Sequence, residues 1–235
     1  MIWVWRTGFS LLLAGSGLCA EVHGSVRLSH SRVPSVRSGR NYSGVVIWLD
    51  AVGDPPHAAA RLTMEQKGKR FVPHVLAAQV GTTVQFPNLD PIFHNAFSSF
   101  SGQIFELGLY PPGTSRDVTF TRPGVVRIFC NIHPEMSGVI VVVKGPWFAV
   151  SAESGAFAIH GVPPGDYRLR VFHERATQAT LAALERRVRV STQDVSLAPL
   201  DISEIGYIEV PHKNKYGLDY PPATDGAGAY PAGRK

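Results

Sequence analysis

One eight-residue stretch constrains this chain more than any other: Phe129-Cys130-Asn131-Ile132-His133-Pro134-Glu135-Met136. Three side chains with metal-binding chemistry fall within it at C-x2-H-x2-M spacing. An apolar run leads in (Val125, Val126, Ile128) and another leads out (Val139 to Val143). Strand alternation puts Val126, Ile128 and Cys130 on one face. The cysteine is therefore expected at a strand end with its sulfur turned inward, beside a tight turn carrying His133 and Met136. A second imidazole lies upstream, in Asn88-Leu89-Asp90-Pro91-Ile92-Phe93-His94-Asn95.

Two imidazoles, one thiolate and one thioether make a donor set suited to copper. Soft sulfur favours Cu(I), imidazole suits both oxidation states, and a trigonal His2Cys set with a weak axial Met is the ligand pattern of blue-copper electron-transfer sites. The expected ligands of one mononuclear Cu(I)/Cu(II) ion are therefore His94, Cys130, His133 and Met136. Since the thiolate is the ligand form, metal must displace the Cys130 proton. Drawing His94 from a separate strand connection makes a two-loop site that is rigid before metal arrives.

Cysteine usage agrees. The chain has two, Cys19 and Cys130. Residues 1–20 read as a secretory signal: Arg6, the apolar run Phe9 to Leu13, then small residues, with cleavage expected after Ala20. Export would leave Cys130 as a lone thiol, for which metal ligation is the best use. The expected location is periplasmic or secreted. No other segment approaches transmembrane length, so no membrane contact is expected beyond the signal.

Gly 23 and Pro 18 in 235 residues imply many turns and short strands. Gly81-Thr82-Thr83-Val84-Gln85-Phe86 alternates as a half-buried strand does. Further strands are expected at Val22 to Leu28, Gly44 to Val52, Arg61 to Gln66, Arg70 to Val75, Phe105 to Tyr110 and Val118 to Phe120, with a loop over Ser29 to Ser43. After Lys144 come strand, turn and strand around Phe157-Ala158-Ile159, Val162 to Gly165 and Tyr167-Arg168-Leu169-Arg170-Val171. Closing strands follow near Arg187 to Val190 and Val195 to Leu200, and Thr177 to Arg187 could hold a short helix. The fold class is all-β. The domains expected are a signal at 1–20, a copper domain at 21–144, a smaller β domain at 145–203 and a disordered tail at 204–235. The net charge of +5 is not gathered into a basic stripe, so no nucleic-acid partner is expected.

Taken together, Gly81 to Asp90, His94-Asn95 and Pro123 to Met136 resemble cupredoxins of the plastocyanin and amicyanin kind. The compact C-x2-H-x2-M loop is most similar to that of amicyanin. The resemblance covers about residues 40–144. It implies a Greek-key β-sandwich, copper as cofactor, and protein redox partners. It also implies that Asn95 ties the two ligand loops together, including a backbone N–H to the Cys130 sulfur. His133 would present its edge at an apolar surface beside Ile132 and Pro134, as the electron port. Residues 152–171, with Glu153-Ser154-Gly155-Ala156-Phe157 and Val162-Pro163-Pro164-Gly165-Asp166-Tyr167, resemble carboxypeptidase-regulatory-like or transthyretin-like β domains. That implies a fold and no chemistry.

The expected function is single-electron carriage between redox proteins, not enzymatic turnover. No His-x-His pair, nucleophile elbow or phosphate loop accompanies the ligands. Two alternatives stay open: copper delivery or storage, and a binding module docking through the C-terminal β domain. The scarcity of Met, only Met64 and Met136 beyond the start, favours electron transfer over delivery. The remaining histidines, His74, His173 and His212 among them, lack ligand spacing and read as surface or loop residues.

Overall fold

The computed structural model describes residues 19–53, 55–56, 60–99, 102–208 and 211–220. The expected export signal, apart from Cys19 and Ala20, lies outside them, as does the stretch from 221 onward. Among the described residues no helix is long and apolar enough to cross a membrane.

The chain is all-β, built around two apolar cores that share one sheet. The shared sheet runs Val75–Gln79, Ser137–Val143, Gly124–Phe129, Phe97–Ser98 and Phe105–Glu106, in that spatial order. Its second strand, Ser137–Val143, is buried at every position but the first. A continuous apolar run is what a strand covered on both faces requires. Val139, Val141 and Val143 enter one core, while Ile140 and Val142 enter the other.

The core that holds the ligand cluster lies between this sheet and a three-stranded one, Ser115–Thr119, Thr83–Pro87 and Arg61–Thr63. In Thr83–Pro87, Val84 and Phe86 are fully buried while their neighbours are not, the alternation expected of a sheet with one covered face. Val126, Ile128 and Cys130 all lie in this core, as their spacing requires.

The other core draws on both ends of the chain. Ala20–Ser29 pairs antiparallel with Ala156–Val162 and parallel with Leu200–Ser203. Val46–Ala51 pairs antiparallel with Phe148–Val150 and with Gly165–Phe172. Strand pairing therefore does not divide the chain at residue 145. Residues 20–51 belong with the strands after Lys144, and the ligand-bearing sandwich starts near Arg61. Local alternation specifies a strand but not its partner, which is why the sequence placed these two strands with the copper unit. At Gly155 the close return of the chain allows no side chain: a Cβ there would sit 2.2 Å from the Val26 carbonyl oxygen, at φ +84°.

Two short helices occur among the described residues. Pro34–Arg37 interrupts the expected Ser29 to Ser43 loop. Gln178–Leu184 is capped by Thr177, whose side chain accepts from the Thr180 N–H.

His74 fastens the second sandwich to the strand leaving the ligand loop. Its Nδ1 lies 3.1 Å from the Ser137 carbonyl oxygen and its Nε2 2.8 Å from a Glu174 carboxylate oxygen. Both partners accept, so the ring fits as imidazolium. Its pKa is raised, chiefly by the Glu174 hydrogen bond, against desolvation. Being raised in the folded state, it contributes stability that is fully present below the ordinary value near 6.5 and is lost as pH rises through the folded value. Urea midpoints are expected to fall between pH 6 and pH 9 more steeply in the wild type than in His74→Ala. Equal slopes would remove the bridge from the account.

Candidate metal centre

The fold brings three of the four expected ligands to one point. Donor atoms of His94, Cys130 and His133 all lie within 4.8 Å of one another. The Cys130 Sγ is 3.8 Å from His94 Nδ1 and 3.5 Å from His133 Nδ1. Metal–sulfur and metal–nitrogen bonds of about 2.3 and 2.0 Å in a trigonal plane put their donors about 3.7 Å apart, so the three donors fit a single ion. Met136 is fully buried in the same core. Its loop is closed by Met136 N–H donating to the His133 carbonyl at 3.0 Å and by Cys130 N–H donating to the Met136 carbonyl at 3.1 Å.

Cys130 and His94 are positioned by different elements. Cys130 directly follows the strand Gly124–Phe129, and its side chain enters the core with Val126 and Ile128. His94 exchanges backbone hydrogen bonds with Tyr110, donating at 3.3 Å and accepting at 2.9 Å. Asn95 joins the two ligand loops: its Oδ1 accepts from the Asn131 N–H at 2.5 Å.

The electrostatics favour neutral donors. Burial raises the Cys130 thiol pKa, opposed by the backbone N–H groups of Asn95, Ile132 and His133. Those N–H groups stabilise negative charge on the sulfur, the form in which a cysteine ligates metal. His133 is pushed down to about 4, first by burial, then by charge on His94 and Lys69, with Asp90 opposing. It is a neutral imidazole, the ligand form, over the whole neutral range.

Sequence reasoning missed two residues here. Asp90 Oδ2 accepts from His94 Nε2 at 2.8 Å. The same carboxylate accepts from the Gly68 and Lys69 N–H groups at 2.6 and 2.8 Å. Burial would raise the Asp90 pKa, but the Lys69, Gly68 and His94 hydrogen bonds outweigh it and lower it. A carboxylate on the far ring nitrogen fixes the tautomer that leaves Nδ1 free for metal. Asn88, fully buried, shapes the loop by donating through Nδ2 to the Ile92 carbonyl at 2.8 Å. The Asp90-x3-His94 spacing was visible, but not the direction of the ring.

Of the expected port residues, Ile132 and His133 are half-buried and Pro134 is exposed. The expected disordered tail is instead folded, across residues 211–220, against the ligand loop. His212 stacks on Phe129, and the Tyr220 hydroxyl donates to the Cys130 carbonyl. Few of its residues are apolar, and the docking is by hydrogen bonds and ring contacts, which composition does not report.

No family model matches the chain. A methylamine utilization protein, MauL, from Methylorubrum extorquens is 37% identical over 60 residues, 25% of this chain and 53% of that protein. The chain thus spans about half the length of the curated relative it matches. Among solved structures, a copper-containing nitrite reductase (NirK) from Thermus scotoductus is 32% identical, covering 41% of this chain and 25% of that one, with a TM-score of 0.35. A purple cupredoxin from Nitrosopumilus maritimus is 26% identical over 36% of this chain and 99% of its own, with a TM-score of 0.33. A Cu(I) form of an amicyanin variant is 21% identical over 35% and 82%, with a TM-score of 0.34.

Proposed function

We propose that this protein is a type 1 copper electron carrier that passes single electrons between protein partners in the periplasm, without substrate turnover. The observation that carries this reading is the convergence of His94 Nδ1, Cys130 Sγ and His133 Nδ1 on one point. The methylamine utilization relative suggests methylamine utilization as the setting in which such a carrier would work.

His94, Cys130 and His133 would hold the copper, with the Met136 thioether as the weak fourth donor. A copper ion bound there would supply a one-electron couple. The protein's part is to keep the donors still. Asn95 locks the two loops together, Asp90 holds the His94 ring, and three backbone N–H groups face the sulfur. Donors fixed in advance leave little to reorganise on electron transfer. Burial of His94, Cys130 and Met136 excludes water, while half-buried His133 beside Ile132 and Pro134 offers the way out to a partner.

The test is to add Cu(II) to the metal-free protein and record visible and electron paramagnetic resonance spectra. An intense thiolate-to-copper band is expected, bleaching reversibly with reductant and abolished in Cys130→Ala. A colourless protein that takes only Cu(I) would replace electron transfer with copper delivery.

A further inference from the structure

Resting on the copper reading of the site, we propose that residues 211–220 are a working part of the metal centre. They form a strap on the outside of the ligand loop, with His212 and Tyr220 as positioning residues. The Tyr220 hydroxyl donates to the Cys130 carbonyl at 2.8 Å. His212 Nε2 donates to the Pro134 carbonyl at 2.7 Å. The His212 ring also stacks on Phe129, with centroids 4.0 Å apart and planes 24° from parallel. Between them the Lys215 N–H donates to Asn131 Oδ1 at 2.9 Å, and its ammonium pairs with Glu106. The strap thus grips Phe129, Cys130, Asn131 and Pro134, the residues around two of the metal donors.

The strap is itself organised for this. Asn214 N–H donates to the Leu218 carbonyl, and Asn214 Oδ1 accepts from the N–H groups of Tyr216 and Leu218. This closed turn returns the chain so that His212 and Tyr220 meet edge to face, 5.1 Å apart, over the ligand loop. The tip, with Tyr216 and Leu218 largely exposed, stays clear of it.

The division of labour follows from where the bonds go. The inner side of the ligand loop is tied by Cys130 N–H to the Met136 carbonyl, Met136 N–H to the His133 carbonyl and Asn131 N–H to Asn95. Those bonds set the spacing of the donors. The carbonyls of Cys130 and Pro134 point the other way, and the strap binds both. Water could satisfy them equally well but would leave the loop free to breathe. The strap therefore resists opening of the loop, which is the motion by which copper would leave.

The experiment uses the full chain, as wild type, Tyr220→Phe and the double variant His212→Ala with Tyr220→Phe. In the copper-free proteins, amide exchange is measured at Asn131 and Met136, with Ile159 and Leu169 in the other core as references. Tyr220→Phe is expected to speed exchange at Asn131 and Met136 about fivefold, the worth of one hydrogen bond, and the double variant further, while the reference amides report any change in global opening. In the copper-loaded proteins a chelator should strip the metal faster by a similar factor. The charge-transfer band should also shift, which a strap serving only general stability would not cause. Exchange within twofold of wild type at both amides in Tyr220→Phe would overturn the proposal, whether or not the double variant folds. If the wild type takes up no copper, exchange still decides the strap and the copper reading alone falls.

Discussion

Asp90→Ala is expected to weaken copper binding by about 10–100-fold, the usual effect of losing the outer partner of a metal-binding histidine. The carboxylate faces three donors at once: His94 Nε2 and the backbone N–H groups of Gly68 and Lys69. Gly68 and Lys69 are exposed, so water can replace the lost acceptor there. His94 is fully buried and has no such recourse. An unsatisfied buried donor costs about 1–3 kcal/mol, and the ring can escape that cost only by turning, which moves Nδ1 off the metal. Asp90→Asn keeps an acceptor oxygen and should fall between wild type and Asp90→Ala. Competition against a chelator of known affinity measures the effect. The pH dependence has a definite sign. Because the Asp90 pKa is lowered in the folded protein, its contribution is present above the unfolded value near 3.9 and is lost as pH falls through the folded one. The acid limb of the wild-type stability curve should therefore be steeper than that of Asp90→Ala. Unchanged affinity in Asp90→Ala would mean that Tyr110 and the loop backbone orient His94 unaided.

What could be seen in the sequence was what is local. Cys130, His133 and Met136 declare themselves because one turn carries all three and the strand before it sets the cysteine's face. His94 could be added because its neighbour Asn95 and the preceding loop matched a known pattern. Asp90 was on the page but silent: its role depends on which way an imidazole four residues on is turned. Val139 to Val143 also held more than its strand. An unbroken apolar run in a half-covered sheet is wasteful, and the second sandwich on its far face explains it. The partner of Ala20–Ser29 was not legible, since its alternation would suit either sandwich and the bonds to Ala156–Val162 join residues more than 100 positions apart. His212 and Tyr220 were hidden for the opposite reason. They lie in a stretch whose composition resembles a solvated tail, and their docking uses backbone carbonyls that no side-chain pattern encodes.

The shared sheet predicts that the two sandwiches unfold together. Ile140 and Leu169 are both fully buried, one in each core. Ile140→Ala and Leu169→Ala should each cost about 2–5 kcal/mol, a fall of roughly 4–20 °C in the thermal midpoint for a chain of this size. The sharper expectation is that both lower the same transition. Val139, Val141 and Val143 alternate with Ile140 and Val142 along one strand, so neither core can open without uncovering the back of the other. Cutting the chain after Lys144 would make the same point more severely. It would expose the odd-numbered face of that strand and remove the strands on which Ala20–Ser29 and Val46–Ala51 are paired. Calorimetry on the full chain should show one peak, with calorimetric and van't Hoff enthalpies equal, in the wild type and in both variants. Two peaks, each moved by only one substitution, would mean that the sheet is a contact surface between independent folding units. Coupling matters for the metal centre because the ligand loop leaves directly into the shared strand: Met136 is followed by Ser137, its first residue. A core substitution as remote as Leu169→Ala should then also loosen the Met136 end of the loop, read as faster amide exchange there in the copper-free protein.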